Sequence, residues 1–401
     1  MLLLQNCRLI PELTEGFDER VGHVLIDGEN ISGIYPVSVV PELPEGATAL
    51  DLCGMTLMPG MFDLHCHISF THADFSDFFV RDVYDDFTDA IKYASTMLSY
   101  GYTTLRSCGS SYKVEVKTRD AVKSGLIRGS RIIASGHILS PTAKGNWQFP
   151  GMYIEVDDPA AIPGKVRREI ADGADFIKIM ATGSVANPGG DPGELIITRE
   201  ETEVYVRSAD SLGKYVAAHC HGKEGILLCI QSGVKTIEHA TCIDGECIEE
   251  ILRLGGKTAL VPTFACMYGP YRAAVSGEAA PGSREILEQC RWAFERAVKG
   301  IRLAWDAGVR TGWGTDNSLE SFLKEPDSEF TARKEMGLSN TELLRQATIE
   351  SAKIALLDDK YGTVKAGKRA DLIAFRGRPD EDTTVFAKKP ELVIKDGQLM
   401  T

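Results

Sequence analysis

The sequence predicts an α/β protein: a (β/α)8 barrel of the TIM type over residues 59–355, beside a small β-sandwich assembled from residues 1–58 and 356–401. Three observations predict it. Short strand-like pieces separated by turns occupy both chain ends. Between them, apolar strands alternate with segments of helical period, the pattern of repeated β-α units on a parallel sheet. The strand candidates in that middle region number eight, as such a barrel requires, and 401 residues accommodate the barrel and a smaller companion.

At the N-terminal end the strand-like pieces are Leu3–Ile10, Gly22–Glu29 and Ile31–Tyr35. At the other end Gly362-Thr363-Val364 leads through Gly367-Lys368-Arg369 to Ala370–Phe375, and Leu392–Leu399 follows. Each end alone is too small to bury a core comfortably, so the two are expected to share one sheet module.

The barrel strands are placed near Leu57–Asp63, Thr103–Leu105, Arg131–Ala134, Phe176–Met180, Tyr215–Ala218, Thr236–Glu238, Ala259–Thr263 and Arg310–Gly314. Pro262 sits awkwardly in the seventh because it donates no ladder hydrogen bond. Intervening helices show apolar stripes. Phe87, Ala90, Ile91, Ala94, Met97 and Leu98 form one; Ile286, Leu287, Cys290, Phe294, Val298 and Ile301 form another. Thr198 with Glu201 three residues later is a capping-box pattern for a helix ahead of the fifth strand.

Composition narrows the function. Hydrophobic residues at 43% and charged residues at 25% are ordinary globular values. The formal net charge of −13 repels phosphate backbones and anionic lipid, so neither nucleic acid nor membrane is an expected partner. Ten cysteines without a CxxC pair argue against a zinc ribbon or a disulfide framework and for reduced, buried thiols. Met1-Leu2-Leu3-Leu4 is broken at once by Gln5-Asn6 and has no basic leader, so a cytoplasmic enzyme is expected.

The chemistry is carried by histidines at strand ends. His65 and His67 follow the first barrel strand at i, i+2 spacing, which turns both side chains to one side of an extended chain. His219 closes the fifth strand, His239 the sixth and Asp316 the eighth, at the C-terminal face where such barrels place their active sites. Lys178, between two isoleucines in the fourth strand, is a buried ammonium that must be neutralised, paired or modified.

These segments together resemble the amidohydrolase superfamily. They are Pro59–His67, Phe176-Ile177-Lys178, Ala218-His219-Cys220-His221-Gly222, Ile237-Glu238-His239-Ala240 and Gly314-Thr315-Asp316-Asn317, with the tail Gly362–Leu372. More narrowly the chain resembles the prolidase-like and Xaa-Arg dipeptidase-like members, near imidazolonepropionase. The resemblance implies two divalent metal ions, usually Zn2+, bridged by a lysine carboxylated by CO2. His65, His67 and Asp316 would hold one ion, His219 and His239 the other, and carboxylated Lys178 both. Carboxylation answers the desolvation problem of Lys178 by making it an anion between cations.

The reaction implied is hydrolysis of a peptide-type amide, in a dipeptide or N-acyl amino acid, by a metal-bridging hydroxide. Asp316 would take the proton of the attacking water and deliver it to the departing nitrogen. His219 and His221 compete for the fifth-strand role; the interval of 20 residues from His219 to His239 favours His219 by resemblance, leaving His221 as a substrate contact or helix-start residue. His137, at the end of the third strand, resembles a histidine that contacts the substrate in this subgroup, and Tyr268 is a candidate lid or substrate hydroxyl. The loop 182–191 has room to cover the site.

Two other functions compete. Cyclic-amide or imidazolone ring opening, or deamination, is one; the deaminases it would resemble place a glutamate three residues beyond the strand-five histidine, a position that is Gly222 counted from His219 and Glu224 counted from His221. A non-catalytic scaffold of the same fold is disfavoured by the complete ligand set. The resemblance also implies a homo-oligomer, of a size no sequence feature sets.

Overall fold

The computed structural model describes residues 1–73, 79–186, 190–277 and 284–400. Both chain ends build one hydrogen-bonded sheet. Its eight strands among the described residues are Leu2–Leu9, Val21–Asp27, Asn30–Pro36, Thr48–Asp51, Thr56–Pro59, Leu372–Phe375, Leu392–Lys395 and Gln398–Leu399. Thr56–Pro59 is the seam: it runs antiparallel to Leu372–Phe375 and parallel to Leu2–Leu9 at Arg8 and Leu9. The sheet covers its own apolar core, in which Leu4, Leu9, Val24 and Ile26 from the N-terminal end meet Leu372, Ala374 and Ile394 from the C-terminal end. Register slips between Leu4 and Cys7, and Asn6 there adopts a positive φ of 52°. That bulge lets both Leu4 and Cys7 face the core.

The single strand expected near Leu57–Asp63 is two. Thr56–Pro59 belongs to the terminal sheet and Met61–Cys66 is the first barrel strand, with Gly60 between them. A Cβ on Gly60 would lie 2.3 Å from Thr103 Oγ1, so only glycine lets the chain pass there.

The barrel continues with Tyr102–Ser107, Arg131–Ala134, Ile177–Met180, Val216–Cys220, Thr236–His239 and Ala259–Val261. Its third strand is broken. Arg131–Ala134 pairs with the second strand, the chain turns at Gly136 (φ 78°), and Ile138–Ser140 pairs with the fourth. A Cβ on Gly136 would approach Glu169 Oε2 to 2.4 Å. The break divides the parallel strands into two hydrogen-bonded sheets, one ending at Arg131–Ala134 and the other containing Ile138–Ser140.

The eighth strand is reduced to bridges. Thr311 and Gly314 pair with Leu260 and Thr263 of the seventh, while Leu64 N donates to Trp313 O (2.7 Å) and Asp316 N to His65 O (2.8 Å) of the first. Pro262 ends regular pairing in the seventh strand as its missing N–H predicts. Arg333, on the helix Ser328–Lys334, compensates: it donates to Pro262 O at 2.8 Å and to Gly312 O at 2.9 Å, tying strands seven and eight. Its charge is met by Glu329, which also accepts from Phe264 N and Ala265 N.

The helices bury most of the predicted stripes, but Ile286 is exposed and Phe87, Ile91, Leu287 and Val298 are half-buried. Val83–Ser99 is capped by Asp82 and Asp85 and buries Ala90, Ala94, Met97 and Leu98. It also buries Tyr93, whose hydroxyl donates to Asn317 O. The Thr198–Glu201 capping box forms as predicted on Arg199–Asp210. All ten cysteines are free thiols. No described helix is long and apolar enough to cross a membrane.

Candidate metal centre

His65, His67, Lys178, His219, His221, His239 and Asp316 line the floor of one cavity of about 830 Å³ at the C-terminal end of the barrel strands. Parallel pairing brings them there: Met180 registers with His219, and His219 with Glu238 beside His239. Two groups of donor atoms lie within 4.8 Å of one another: His65, His239 and Asp316, and His219, His221 and His239. His65 Nε2 and His67 Nε2 face Asp316 Oδ1 at 3.7 and 3.5 Å.

Most of these rings are fixed by the nitrogen that faces away from the cavity. His67 Nδ1 donates to Gly109 O at 2.8 Å, and His239 Nδ1 meets Thr263 Oγ1 at 2.8 Å. His65 Nδ1 lies 2.8 Å from Glu238 Oε2, and Glu238 is held by Arg106 at 2.7 Å to both oxygens. Each leaves Nε2 for a cation, the arrangement in which a carbonyl or carboxylate orients a metal-binding imidazole. His219 differs. Its Nε2 donates to Gly183 O at 2.9 Å, leaving Nδ1.

Electrostatics suit cation binding. Burial, with the neighbouring imidazoles and Lys178, pushes His67, His219 and His239 well below the usual histidine range, so each stays neutral as a ligand must be. His65 behaves oppositely. Burial works against its charge, yet Cys108, Asp316 and Glu238 outweigh it and raise it to about 10. Carboxylates that hold a proton on that ring will hold a metal ion in the proton's place. Burial raises Asp316, against the pull of His65 and Lys178, which favours a carboxylate able to accept a proton. Burial likewise raises Glu238, but Arg106 and His65 bring it down to about 2, an anion at any working pH.

Lys178 is 1% exposed and makes no hydrogen bond or ion pair among the described residues. A buried amine with no partner, facing five histidines and an aspartate, fits a site completed by cations. Backbone strain marks the same place: His239 (φ 67°), Ala240 (φ 52°) and Asp316 (φ 50°) adopt left-handed conformations uncommon for residues with a Cβ. Asp63 steadies the last of these. It accepts from His65 N, Thr315 N and Thr315 Oγ1, joining the first strand to the eighth just before Asp316.

His221 joins the cavity floor. Its Nδ1 meets Thr241 Oγ1 at 2.6 Å, while its buried Nε2 has no partner, and burial lowers it to about 3. His137 and Tyr268 are not among the described residues that line the cavity. The Gly136 turn directs His137 onto Glu169, whose Oε1 lies 3.2 Å from its Nδ1. Tyr268 is 7% exposed and packs against Tyr271 and Phe294 because it faces the interior side of its helix, Ala265–Ser276. Glu224 lines a separate cleft with Asp191 and Lys223, away from the histidines. Of the loop 182–191, Ser184, Val185 and Ala186 line the cavity, and Asn187, Pro188 and Gly189 lie outside the described residues.

Sequence reasoning missed Glu238, Arg106, Asp63 and Thr263, which orient these side chains, and the cavity's aromatic wall. Glu238 carried a signal: an acid in a buried strand, next to a ligand, needs a cation.

With this geometry the comparisons agree. The amidohydrolase family pattern matches residues 56–400. This chain belongs to the amidohydrolase family. As a member it is a hydrolase of carbon–nitrogen bonds. An ochratoxinase of Aspergillus niger is 27% identical over 387 residues, covering 86% of this chain and 75% of that protein. The solved structure of a prolidase complexed with N-methylphosphonate-L-proline matches with TM-score 0.86 and 28% identity, over 99% of this chain and 98% of the other. A Xaa-Pro dipeptidase with methionine bound in its active site matches with TM-score 0.84 and 29% identity, over 99% of both chains.

Proposed function

We propose that this amidohydrolase is a binuclear metal enzyme that hydrolyses a peptide-type amide bond in a small molecule, a dipeptide or an N-acyl amino acid. Residues 59–355 form its catalytic barrel, and residues 1–58 with 356–401 the flanking unit. The observation that carries the reading is Lys178, a buried amine without a partner among the described residues, on the floor that holds the histidines and Asp316. The prolidase and dipeptidase among the similar structures, and the ochratoxinase, support amide cleavage.

His65, His67 and Asp316 would hold one ion, His219 and His239 the second, and Lys178, carboxylated by CO2, both; zinc is the ion proposed. Bound there, divalent metal supplies acidified water and polarises the scissile carbonyl. The chain's own residues do the rest. Asp316, facing the cavity with its side chain 24% exposed, takes the proton of the attacking water and passes it to the departing nitrogen. His221 directs its unpartnered Nε2 at the same floor, where it can hold a substrate oxygen.

Metal analysis should give two ions per chain, and mass analysis of the native protein one CO2 adduct at Lys178. Dipeptides and N-acyl amino acids should be cleaved without release of ammonia from a ring or side chain. One tightly held ion or none, with a bare Lys178 amine, would falsify the proposal. A Lys178→Ala variant that folds yet keeps activity would overturn it equally.

A further inference from the structure

The wall above the metal floor is aromatic. Phe70 stacks on the ligand His67 at 4.9 Å and 29°, Phe149 lies parallel to Phe70 at 5.8 Å and 15°, and Tyr153 follows at 6.2 Å. Met152 completes this side. At the rim Phe79 and Trp147 pair at 6.0 Å while 56% and 69% exposed. Rings therefore line the cavity both at its rim and against His67.

Among the described residues the lining offers little free charge. Outside Asp316 the one acid on the described lining is Glu325, and both its oxygens are taken by Arg272 at 2.8 and 2.6 Å. Apart from Lys178 the one lining lysine is Lys324, bound to Glu320 at 2.7 Å, and no arginine lines the described cavity. A free α-ammonium entering this space would lose its water and find, among the described residues, no unpaired carboxylate other than Asp316. A flat apolar group would instead gain burial and ring stacking along this wall.

We infer that the substrate carries a bulky, uncharged aromatic acyl group on the scissile amide, as in an N-aroyl amino acid, in preference to a dipeptide with a free ammonium. This rests on the amide-hydrolase reading and selects between the two substrate classes it allows. Phe149 is the specificity-determining residue, at the centre of the ring series.

The test compares three amides of alanine on the metal-loaded enzyme: N-(2-naphthoyl)-alanine, N-acetyl-alanine and Phe-Ala. The naphthoyl compound should exceed both others in kcat/KM by roughly tenfold or more. Phe149→Ala should raise its KM by roughly tenfold while retaining the wild-type metal content. Calorimetry with 2-acetonaphthone, a neutral carbonyl compound that cannot be cleaved, should show a matching loss of affinity in the variant. Turnover of Phe-Ala equal to or faster than the naphthoyl compound overturns the inference and leaves amide hydrolysis standing. So does acetonaphthone binding that is insensitive to Phe149→Ala. Cleavage of none of the three removes the amide-hydrolase reading itself, while calorimetry still decides the preference of the wall.

Discussion

Glu238 Oε2 lies 2.8 Å from His65 Nδ1, and Arg106 holds both Glu238 oxygens at 2.7 Å. The three form a buried chain in which an arginine fixes a carboxylate and the carboxylate fixes an imidazole. His65, Cys108 and Glu238 also gather tightly enough to suggest an ion. Arg106 and the Thr236 hydroxyl, 2.5 Å from Oε1, already occupy that carboxylate. Glu238 is thus a positioning residue. Glu238→Gln should weaken metal binding by roughly 10- to 100-fold, read from metal content across a chelator series. Unchanged retention would assign Glu238 to folding alone.

Asp316 is the proposed proton carrier and a proposed ligand, so two readouts are needed. Asp316→Asn keeps an oxygen for the metal but cannot accept the proton. It should lower kcat by roughly 10²- to 10⁴-fold with KM little changed. A matching loss of bound metal would show that ligation, rather than proton transfer, dominates.

Arg333 replaces pairing that Pro262 cannot provide, and it is fully buried with Glu329. Arg333→Met would leave Glu329 without its cation and two strand carbonyls without their donor. Denaturant unfolding should show a loss of about 3–5 kcal/mol. A loss below about 1 kcal/mol would mean that the barrel closes without this clamp.

Glu115 accepts from Gly136 N at 2.8 Å and from the Ser110 hydroxyl, beneath the break in the third strand. Burial raises its carboxyl from 4.5 to about 8, so between those limits the folded chain binds a proton that the unfolded chain releases. The stability from that proton is complete below pH 4.5 and is lost as pH rises towards 8. The slope reaches about 1.4 kcal/mol per pH unit. Glu115→Gln should abolish this part of the decline in urea melts taken across the window. A slope identical to wild type would exclude Glu115 as its source.

The sequence by itself determined the alternation of strands and helices, the shared terminal sheet and the cluster of strand-end histidines. These follow from local periodicity, from residue type and from the rule that parallel barrels place polar ends together. It also singled out Lys178, because a lysine between buried isoleucines conflicts with its surroundings without any knowledge of its neighbours. Tertiary structure decided what depends on side chains distant along the chain. Gly136 turns His137 away onto Glu169, 32 residues further on, and a helix face directs Tyr268 into packing. Arg106 reaches Glu238 across 132 positions. The aromatic wall joins Phe70 to Phe149 and Tyr153. Each of these contacts depends on direction as well as spacing, and direction is set only when the backbone folds and packing selects one rotamer for each side chain.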